Sequence, residues 1–452
     1  MKKKFFGTDG IRGLVNKGHM TPDTLLKIAQ AAGKCFQKDD RHHLVVIGKD
    51  TRLSGYMVEP ALTAGFISMG MDVVLVGPLP TPAVAMLTRS LRADLGVMIS
   101  ASHNPYTDNG IKFFTPEGNK LSDAQELEIE EKIENFTNDH LASSERLGRA
   151  KRLDDAPGRY IEFVKSTFPA GLRLDGLKIV IDCANGAAYK IAPMILWELG
   201  AQIVPIGDNP NGENINLNCG AVEPQLLSQT VKAHKADIGI GLDGDADRLV
   251  VCDENGEIIE GDLLIGLIAS LGHKKGTLKG NTVVSTIMAN MALETFLSKE
   301  GLHLLRTPVG DRYVTEAMKK GGFNVGGEPS GHIVLSDYGT SGDGLVAALQ
   351  VLSILVQSKK LASEILHPFK LSPQKTRNIK LKNKKILQNA GLMKEIDSLT
   401  LSFQQAGGRL VIRPSGTEPV IRIMAEAPKL QQVEDMLSTI ETLLKNADLS
   451  GS

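Results

Sequence analysis

Three stretches, HLVVIGKD (43–50), DVVLVG (72–77) and DLGVMISASHNP (94–105), decide how this chain is read. Each opens as a short β-branched run, and segments of helical period fill the intervals, the first from about Glu59. That alternation predicts β-α-β units and parallel or mixed sheets. The same order returns twice at low similarity. LKIVIDCA (177–184), a helix-like segment from Ala192, QIVPIG (202–207) and ADIGIGLDGDADR (236–248) form a second unit. NTVVSTIM (281–288), a helix-like segment from Leu293, HLLRTPVG (303–310) and FNVGGEPSGH (323–332) form a third. Each unit reads strand, helix, strand, connection, strand, and each third strand runs into a polar, glycine-containing loop. Ligands of open α/β sheets sit beyond the carboxyl ends of strands, so three such loops could face one cleft. Any α/β chain echoes itself to some degree, and pattern alone leaves triplication and coincidence both open.

The last piece differs. After the Pro- and Lys-containing stretch Pro368 to Arg377, read as a linker and plausible hinge, comes RLVIRPSGTEPVIRIMAE (409–426) and an amphipathic run from Leu430 to Leu444. Two strands around a Ser-Gly-Thr turn, then a helix, predict a small α+β domain. The expected architecture is α/β: three similar domains with mixed sheets (1–153, 154–255 and 256–368) and a smaller C-terminal α+β domain (369–452) around a central cleft.

Composition bounds the function. The chain has 452 residues, enough for about three domains of ordinary size. Its 51 basic and 52 acidic residues nearly cancel, leaving no global field for nucleic acid or an anionic membrane. The longest apolar runs, such as Val346 to Val356, fall short of the roughly 20 residues that span a bilayer. MKKKFFGTDG has basic residues at its start but no apolar segment behind them. Cys35, Cys183, Cys219 and Cys252 are scattered without metal-like spacing and read as ordinary thiols of a cytoplasmic protein.

Four loops carry chemistry. GIGLDG (239–244) matches the dinucleotide fingerprint G-x-G-x-x-G, but it continues into three acids and a strand instead of opening a helix. Carboxylates there would repel a pyrophosphate, so that reading is rejected. A calcium hand fails as well, because its sixth position, which needs glycine, is Arg248, and both flanks read as strand. Asp243, Asp245 and Asp247 at alternating positions can converge on one hard cation such as Mg²⁺, completed by a phosphate oxygen. The alternative is a solvated acidic turn.

ISASHNPYTDNGIKFF (99–114) sets Ser100, Ser102 and His103 after a buried strand. No G-x-S-x-G elbow occurs, which disfavours a hydrolase serine. Ser102 as a covalent phosphate carrier, assisted by His103 and Lys112, and plain loop polarity both remain open. RPSGTEPVIRI (413–423) resembles an anion nest in which Ser415, Gly416, Thr417, Arg413 and Arg422 wrap one phosphate, unless it is only a capped turn. GEPSGH (327–332) offers Glu328, Ser330 and His332 to sugar hydroxyls, and FGTDGIRG (6–13) adds Arg12 among glycines.

Together, in this order and over essentially the whole chain, SASHNP, DGDADR, GEPSGH and RPSGTEP resemble the α-D-phosphohexomutase family, with one loop from each of four domains. FGTDGIRG and SASHNPYTDNGIKFF most resemble the bacterial branch that acts on glucosamine phosphates, whose sugar loop often reads GEQSGH where this chain has Pro329. The resemblance implies Ser102 as a phosphoserine and Asp243, Asp245 and Asp247 as Mg²⁺ ligands with a phosphoserine oxygen. It implies glucosamine 6-phosphate and 1-phosphate as the exchanging pair, a sugar 1,6-bisphosphate as intermediate and activating primer, and a product that feeds amino-sugar nucleotide and cell-wall precursor synthesis. His103, Lys112 and Arg248 are the candidates for electrostatic and proton-transfer help. Small sugar phosphates are the expected partners, with monomer and homodimer both open. Competing readings are a glucose or mannose phosphate preference, a non-catalytic sugar-phosphate sensor, and a metal-dependent phosphatase. The intact serine and three aspartates weigh against a sensor, which needs no phosphate carrier.

Overall fold

Strands covered by helices on both faces are buried along nearly their whole length, and the runs that open each unit are strands of this kind, largely apolar in the first two and TVVST in the third. The computed structural model describes residues 3–7, 9–37, 39, 41–380, 384–414 and 420–450. The first sheet contains β1 (Ile11–Leu14), β2 (His43–Lys49), β3 (Met71–Pro78), β4 (Leu95–Ile99), β5 (Asp108–Phe114) and β6 (Ala150–Arg152). The second contains β7 (Lys178–Asp182), β8 (Gln202–Ile206), β9 (Ile238–Leu242), β10 (Leu249–Asp253) and β11 (Ile258–Ile259). The third contains β12 (Thr282–Thr286), β13 (His303–Thr307), β14 (Val325–Gly327) and β15 (Ile333–Leu335).

The repetition is a property of the fold. In each sheet the unit's three strands run parallel in the order third, first, second: β4-β2-β3, β9-β7-β8 and β14-β12-β13. An antiparallel strand flanks the third strand each time, namely β5, β10 and β15. The first helices of the units are Gly55–Ser68, Ile191–Glu198 and Met291–Lys299. The connections left unassigned by periodicity are also helices: Thr81–Ser90, Gln225–His234 and Asp311–Gly321. The three polar loops therefore leave their sheets at equivalent places, between a parallel and an antiparallel neighbour.

The fourth sheet is wholly antiparallel, with β16 (Gln374–Lys380), β17 (Arg409–Pro414) and β18 (Val420–Glu426) in the order β16-β18-β17. Helices Ala390–Gln405 and Leu430–Ser450 accompany it. The linker reading needs correction here, because Gln374–Arg377 lie inside β16 and pair with β18 along its length. This edge strand is mostly exposed and carries charged and polar side chains, so no apolar period marks it. The connecting segment shortens to Pro368–Pro373.

One apolar core runs from the first sheet through the second and third, including Val46, Val76, Ile181, Ile240, Val283 and Leu345. The fourth domain has a core of its own around Ile379, Ile396, Ile423 and Leu437. Its seam with the third domain is polar. Arg409 donates from Nη1 to the carbonyl of Ile287 and from Nη2 to that of Ala289, both at 2.6 Å. The Glu426 carboxylate accepts the Met291 N–H at 2.5 Å. No helix among the described residues is long and apolar enough to cross a membrane. The four cysteines are unpaired.

Candidate active site

Beyond β4, Ser102 takes a left-handed backbone conformation, φ 52°, which costs a non-glycine residue about 1–2 kcal/mol and must be held by its surroundings. The hold is explicit. The Ser100 hydroxyl accepts the Ser102 N–H at 2.9 Å and donates to Asp50 Oδ2 at 2.6 Å. The fully buried Arg52 donates from Nε to the same Asp50 oxygen at 2.7 Å. Its Nη2 reaches the carbonyls of Ser102 and Asn104, both at 2.9 Å, and its Nη1 those of Asp108 at 3.1 Å and Pro105. Asn216, from the second domain's loop, donates to the Ser102 carbonyl at 2.9 Å. The serine hydroxyl is thereby aimed across the domain boundary, donating to Asp243 Oδ2 at 2.6 Å. His103 Nδ1 stands 3.4 Å from the same hydroxyl.

Asp243, Asp245 and Asp247 follow β9, and the left-handed Ala246 (φ 55°) turns the loop so that all three converge. One carboxylate oxygen from each lies within 4.8 Å of the other two, and all three residues are buried. Gly244 permits the close approach of the two loops, since a Cβ there would fall 2.6 Å from the Ser102 carbonyl oxygen. Lys112 Nζ, from β5, donates to Asp245 Oδ2 at 2.7 Å and to Asp247 Oδ2 at 3.1 Å, and stands 3.3 Å from Asp9.

Three buried carboxylates with one ammonium leave excess negative charge. Burial, then the repulsion of Asp247 and Asp245, pushes the Asp243 carboxyl up to about 8. Asp247 is also penalised by burial, but Lys112, His332 and Arg248 outweigh this and hold it well below the usual carboxylate range. Two buried oxygens, Asp245 Oδ1 and Asp247 Oδ1, have no hydrogen-bond partner among the described residues. A hard divalent cation fits this oxygen-only set, because it would satisfy both oxygens and favour ionisation of Asp243. For His103, burial followed by Arg248 and Arg12 lowers the imidazole to about 4, so the ring is neutral near pH 7.

The two loops floor a cavity of about 700 Å³ whose walls include Arg12, His103, Arg248, Glu328, Arg413 and Arg422. The sugar-loop candidate docks on the metal loop's strand through Leu249 N–H to the Gly331 carbonyl at 3.0 Å. Gly331 has φ +84°, and a Cβ there would strike the Leu249 carbonyl oxygen at 2.0 Å. Glu328 accepts the Gly310 N–H at 3.2 Å and keeps a face on the cavity. His332 also lines the cavity, but its buried ring is wedged between Asp247 Oδ1 at 3.6 Å and Asp311 Oδ2 at 3.4 Å. Burial lowers that imidazole and the two carboxylates more than compensate, so its pKa is raised. Ser330 is exposed and does not line the cavity. On the fourth-domain wall, burial and then the neighbouring Arg422 push Arg413 below its ordinary range, the expected strain where two guanidinium groups face one space. Ser415, Gly416 and Thr417 lie outside the described residues.

Sequence reasoning missed Asp50, Arg52, Thr81, Asn216 and the first-to-third domain contacts. Thr81 hydrogen-bonds Asp245 at 2.5 Å. Lys120 pairs with Asp9 and Asp311, and Arg312 with Asp123 and Glu126. One signal was available: Asp50 and Arg52 follow the carboxyl end of β2, where the rule for open sheets places ligand-proximal residues.

Models of the phosphoglucomutase/phosphomannomutase family match all four parts of the chain: α/β/α domain I at residues 3–140, II at 158–256, III at 260–371 and the C-terminal domain at 377–443. A phosphoglucosamine mutase of Paramagnetospirillum magneticum is 58% identical over 449 residues, 99% of this chain and 100% of the relative. One of Caulobacter vibrioides is 55% identical over 447 residues, again 99% and 100%. Among solved structures, a phosphoglucomutase/phosphomannomutase family protein from Burkholderia thailandensis superposes with a TM-score of 0.81 at 25% identity, covering 97% of each chain. An N-acetylphosphoglucosamine mutase from Aspergillus fumigatus, solved with GlcNAc-6P and magnesium, shares the fold with a TM-score of 0.69 at 19% identity, covering 99% of this chain and 96% of that one.

Proposed function

Because the chain belongs to the phosphoglucomutase/phosphomannomutase family, we propose that its cleft interconverts glucosamine 6-phosphate and glucosamine 1-phosphate. Ser102 carries the phosphoryl group. The observation that supports this most is the Ser102 hydroxyl, held in a left-handed turn and directed 2.6 Å from Asp243 at the edge of a three-carboxylate cluster. In the forward direction the sugar's O1 attacks phosphorus, the bond from phosphorus to Ser102 Oγ breaks, and the O1 proton is lost as Oγ regains one. The resulting 1,6-bisphosphate turns over in the cleft. Its 6-phosphoryl group then passes to Ser102 by the reverse exchange, releasing the 1-phosphate, which would supply amino-sugar nucleotide and cell-wall precursor synthesis. The same bisphosphate, added as a primer, would phosphorylate an empty Ser102.

Transfer of this kind depends on positioning and charge stabilisation more than on covalent chemistry. Asp243, Asp245 and Asp247 would hold Mg²⁺, which when bound supplies positive charge beside the phosphoserine oxygens. Arg52, Asp50 and Ser100 keep Oγ on line. Neutral His103 is a proton acceptor within reach of Oγ, while Lys112 and Arg248 balance charge around the carboxylates. Arg413 and Arg422, with Ser415, Gly416 and Thr417, would grip the phosphate that is not reacting, and Arg12 and Glu328 would meet the sugar. Glu328 suits a 2-ammonium group.

The test compares kcat/KM for glucosamine, glucose and mannose 6-phosphates at fixed Mg²⁺ and bisphosphate primer. Glucosamine 6-phosphate is expected to have the largest value. Equal or better turnover of mannose 6-phosphate would overturn the amino-sugar assignment.

A further inference from the structure

Strand β10 leaves the metal loop at Leu249 and ends at Asp253, roughly 15–20 Å from the Asp243 cluster by strand rise. There the chain turns back into β11. Asp253 is almost completely buried, and its Oδ1 accepts the N–H groups of Asn255 and Glu257, both at 2.9 Å. Its other oxygen, Oδ2, has no hydrogen-bond partner among the described residues. That orphan faces His367 Nε2 at 3.9 Å, and the same nitrogen lies 4.0 Å from Glu257 Oε2. Neither separation is a hydrogen bond. The three donor atoms instead surround a gap, lying within 4.8 Å of one another.

We propose that Asp253, Glu257 and His367 bind a divalent transition-metal ion of the zinc class, at a site distinct from the three-aspartate cluster. Zinc–nitrogen and zinc–oxygen bonds of about 2.0–2.2 Å place tetrahedral ligands about 3.4 Å apart. The two spacings to His367 Nε2 therefore need to contract by about half an ångström, and the two carboxylate oxygens, within 4.8 Å of each other, close on the same point. The two side chains that must move can do so, since those of Glu257 and His367 are 68% and 33% exposed. One imidazole and two carboxylates form a borderline donor set with room for water. Such a set favours Zn²⁺ over Mg²⁺, which prefers octahedral oxygen ligation and keeps its waters.

The site joins two parts of the molecule. Asp253 and Glu257 belong to the second domain's hairpin, and His367 immediately precedes the Pro368–Pro373 connection to the fourth domain. The hairpin already grips this region through Glu254, which accepts the Ser363 N–H at 2.9 Å and its hydroxyl at 2.5 Å. A bound ion would fasten the base of that connection.

The experiment uses the full-length protein, stripped with a chelator and returned to excess Mg²⁺. Zn²⁺ is then titrated calorimetrically into the wild type, Glu257→Gln and His367→Gln. One equivalent should bind the wild type, and each variant should bind it at least tenfold more weakly. Zn²⁺ should slow hydrogen exchange across residues 361–371 in the wild type only. The well-exposed Glu257 makes its variant safe for folding. Absence of Zn²⁺ binding by the wild type, binding by both variants as tight as the wild type's, or loss in one variant alone would overturn the three-ligand site.

Discussion

The floor of the cleft and its fourth-domain wall are built on opposite terms. At the floor, Ser102, Asp243, Asp245 and Lys112 are all at least 98% buried, tied to one another and set between domains that share a continuous apolar core. At the wall, Arg413 and Arg422 sit on a domain with a separate core, joined to the third domain through Arg409, Glu426 and main-chain carbonyls. Buried polar groups tied to one another by hydrogen bonds and ion pairs give a fixed geometry, whereas a polar seam between separate cores permits relative motion. The contrast assigns phosphoryl transfer to the floor and phosphate gripping to the wall. A bisphosphate that must turn over in the cleft needs both.

Substitutions should separate the two regions. The largest effect is expected for Ser102→Ala, which should abolish mutase activity and remove the phosphate detected on the tryptic peptide by mass spectrometry. Ser100→Ala should keep part of the activity, and phosphate found reproducibly on Ser100 would reverse the two roles. Next, Arg52→Lys retains charge but loses the fork that holds four carbonyls. It should lower kcat about 10- to 100-fold with little change in KM, because the loop is mispositioned while the wall is intact. Arg422→Ala should do the converse, raising KM about tenfold or more, on the scale of one lost charge-assisted bond of roughly 1.5–3 kcal/mol. It should also release free 1,6-bisphosphate, measurable by coupled assay, with Ser102 still phosphorylated. A pure kcat defect in Arg422→Ala would place the wall in the chemical step and break the division.

The smallest expected effect lies beside the seam. Burial raises the Asp262 carboxyl to about 7, and one of its oxygens has no partner among the described residues. The folded protein holds a proton that the unfolded chain releases from about pH 4 upward, so stability is lost progressively between about pH 4 and about pH 7. Asp262→Asn, which still offers an oxygen to the Asn290 N–H, should raise Tm by a few degrees above pH 7 and have little effect near pH 4. Equal shifts at both pH values would show that ionisation is not the cause.

Some of this was legible in the sequence and some was not, for physical reasons. The β-branched runs ending in SASHNP, DGDADR and GEPSGH disclose three sheets because the central strands of each sheet are buried and rich in β-branched apolar residues. Their common third-first-second order is invisible, since it depends on which strands pair. The three aspartates are readable by spacing, but the position of Lys112 among them follows from the pairing of β5 with β4. Arg52 carries no motif and supports the serine loop through four backbone carbonyls and the Asp50 carboxylate, contacts that leave no mark in composition. Strand β16 was hidden because its stability comes from main-chain pairing on a solvated edge. His332 reads as a sugar ligand, whereas the tertiary fold sets it between Asp247 and Asp311 as well as on the cavity wall.

The central claim is that phosphate on Ser102 passes to the sugar and returns. Protein labelled with ³²P on Ser102, mixed in a single turnover with unlabelled glucosamine 6-phosphate and Mg²⁺, tests it directly. The account expects the label to leave Ser102 for glucosamine 1,6-bisphosphate and then glucosamine 1-phosphate, while the protein regains unlabelled phosphate. Label that remains on the protein during turnover, or that appears as inorganic phosphate, would contradict it.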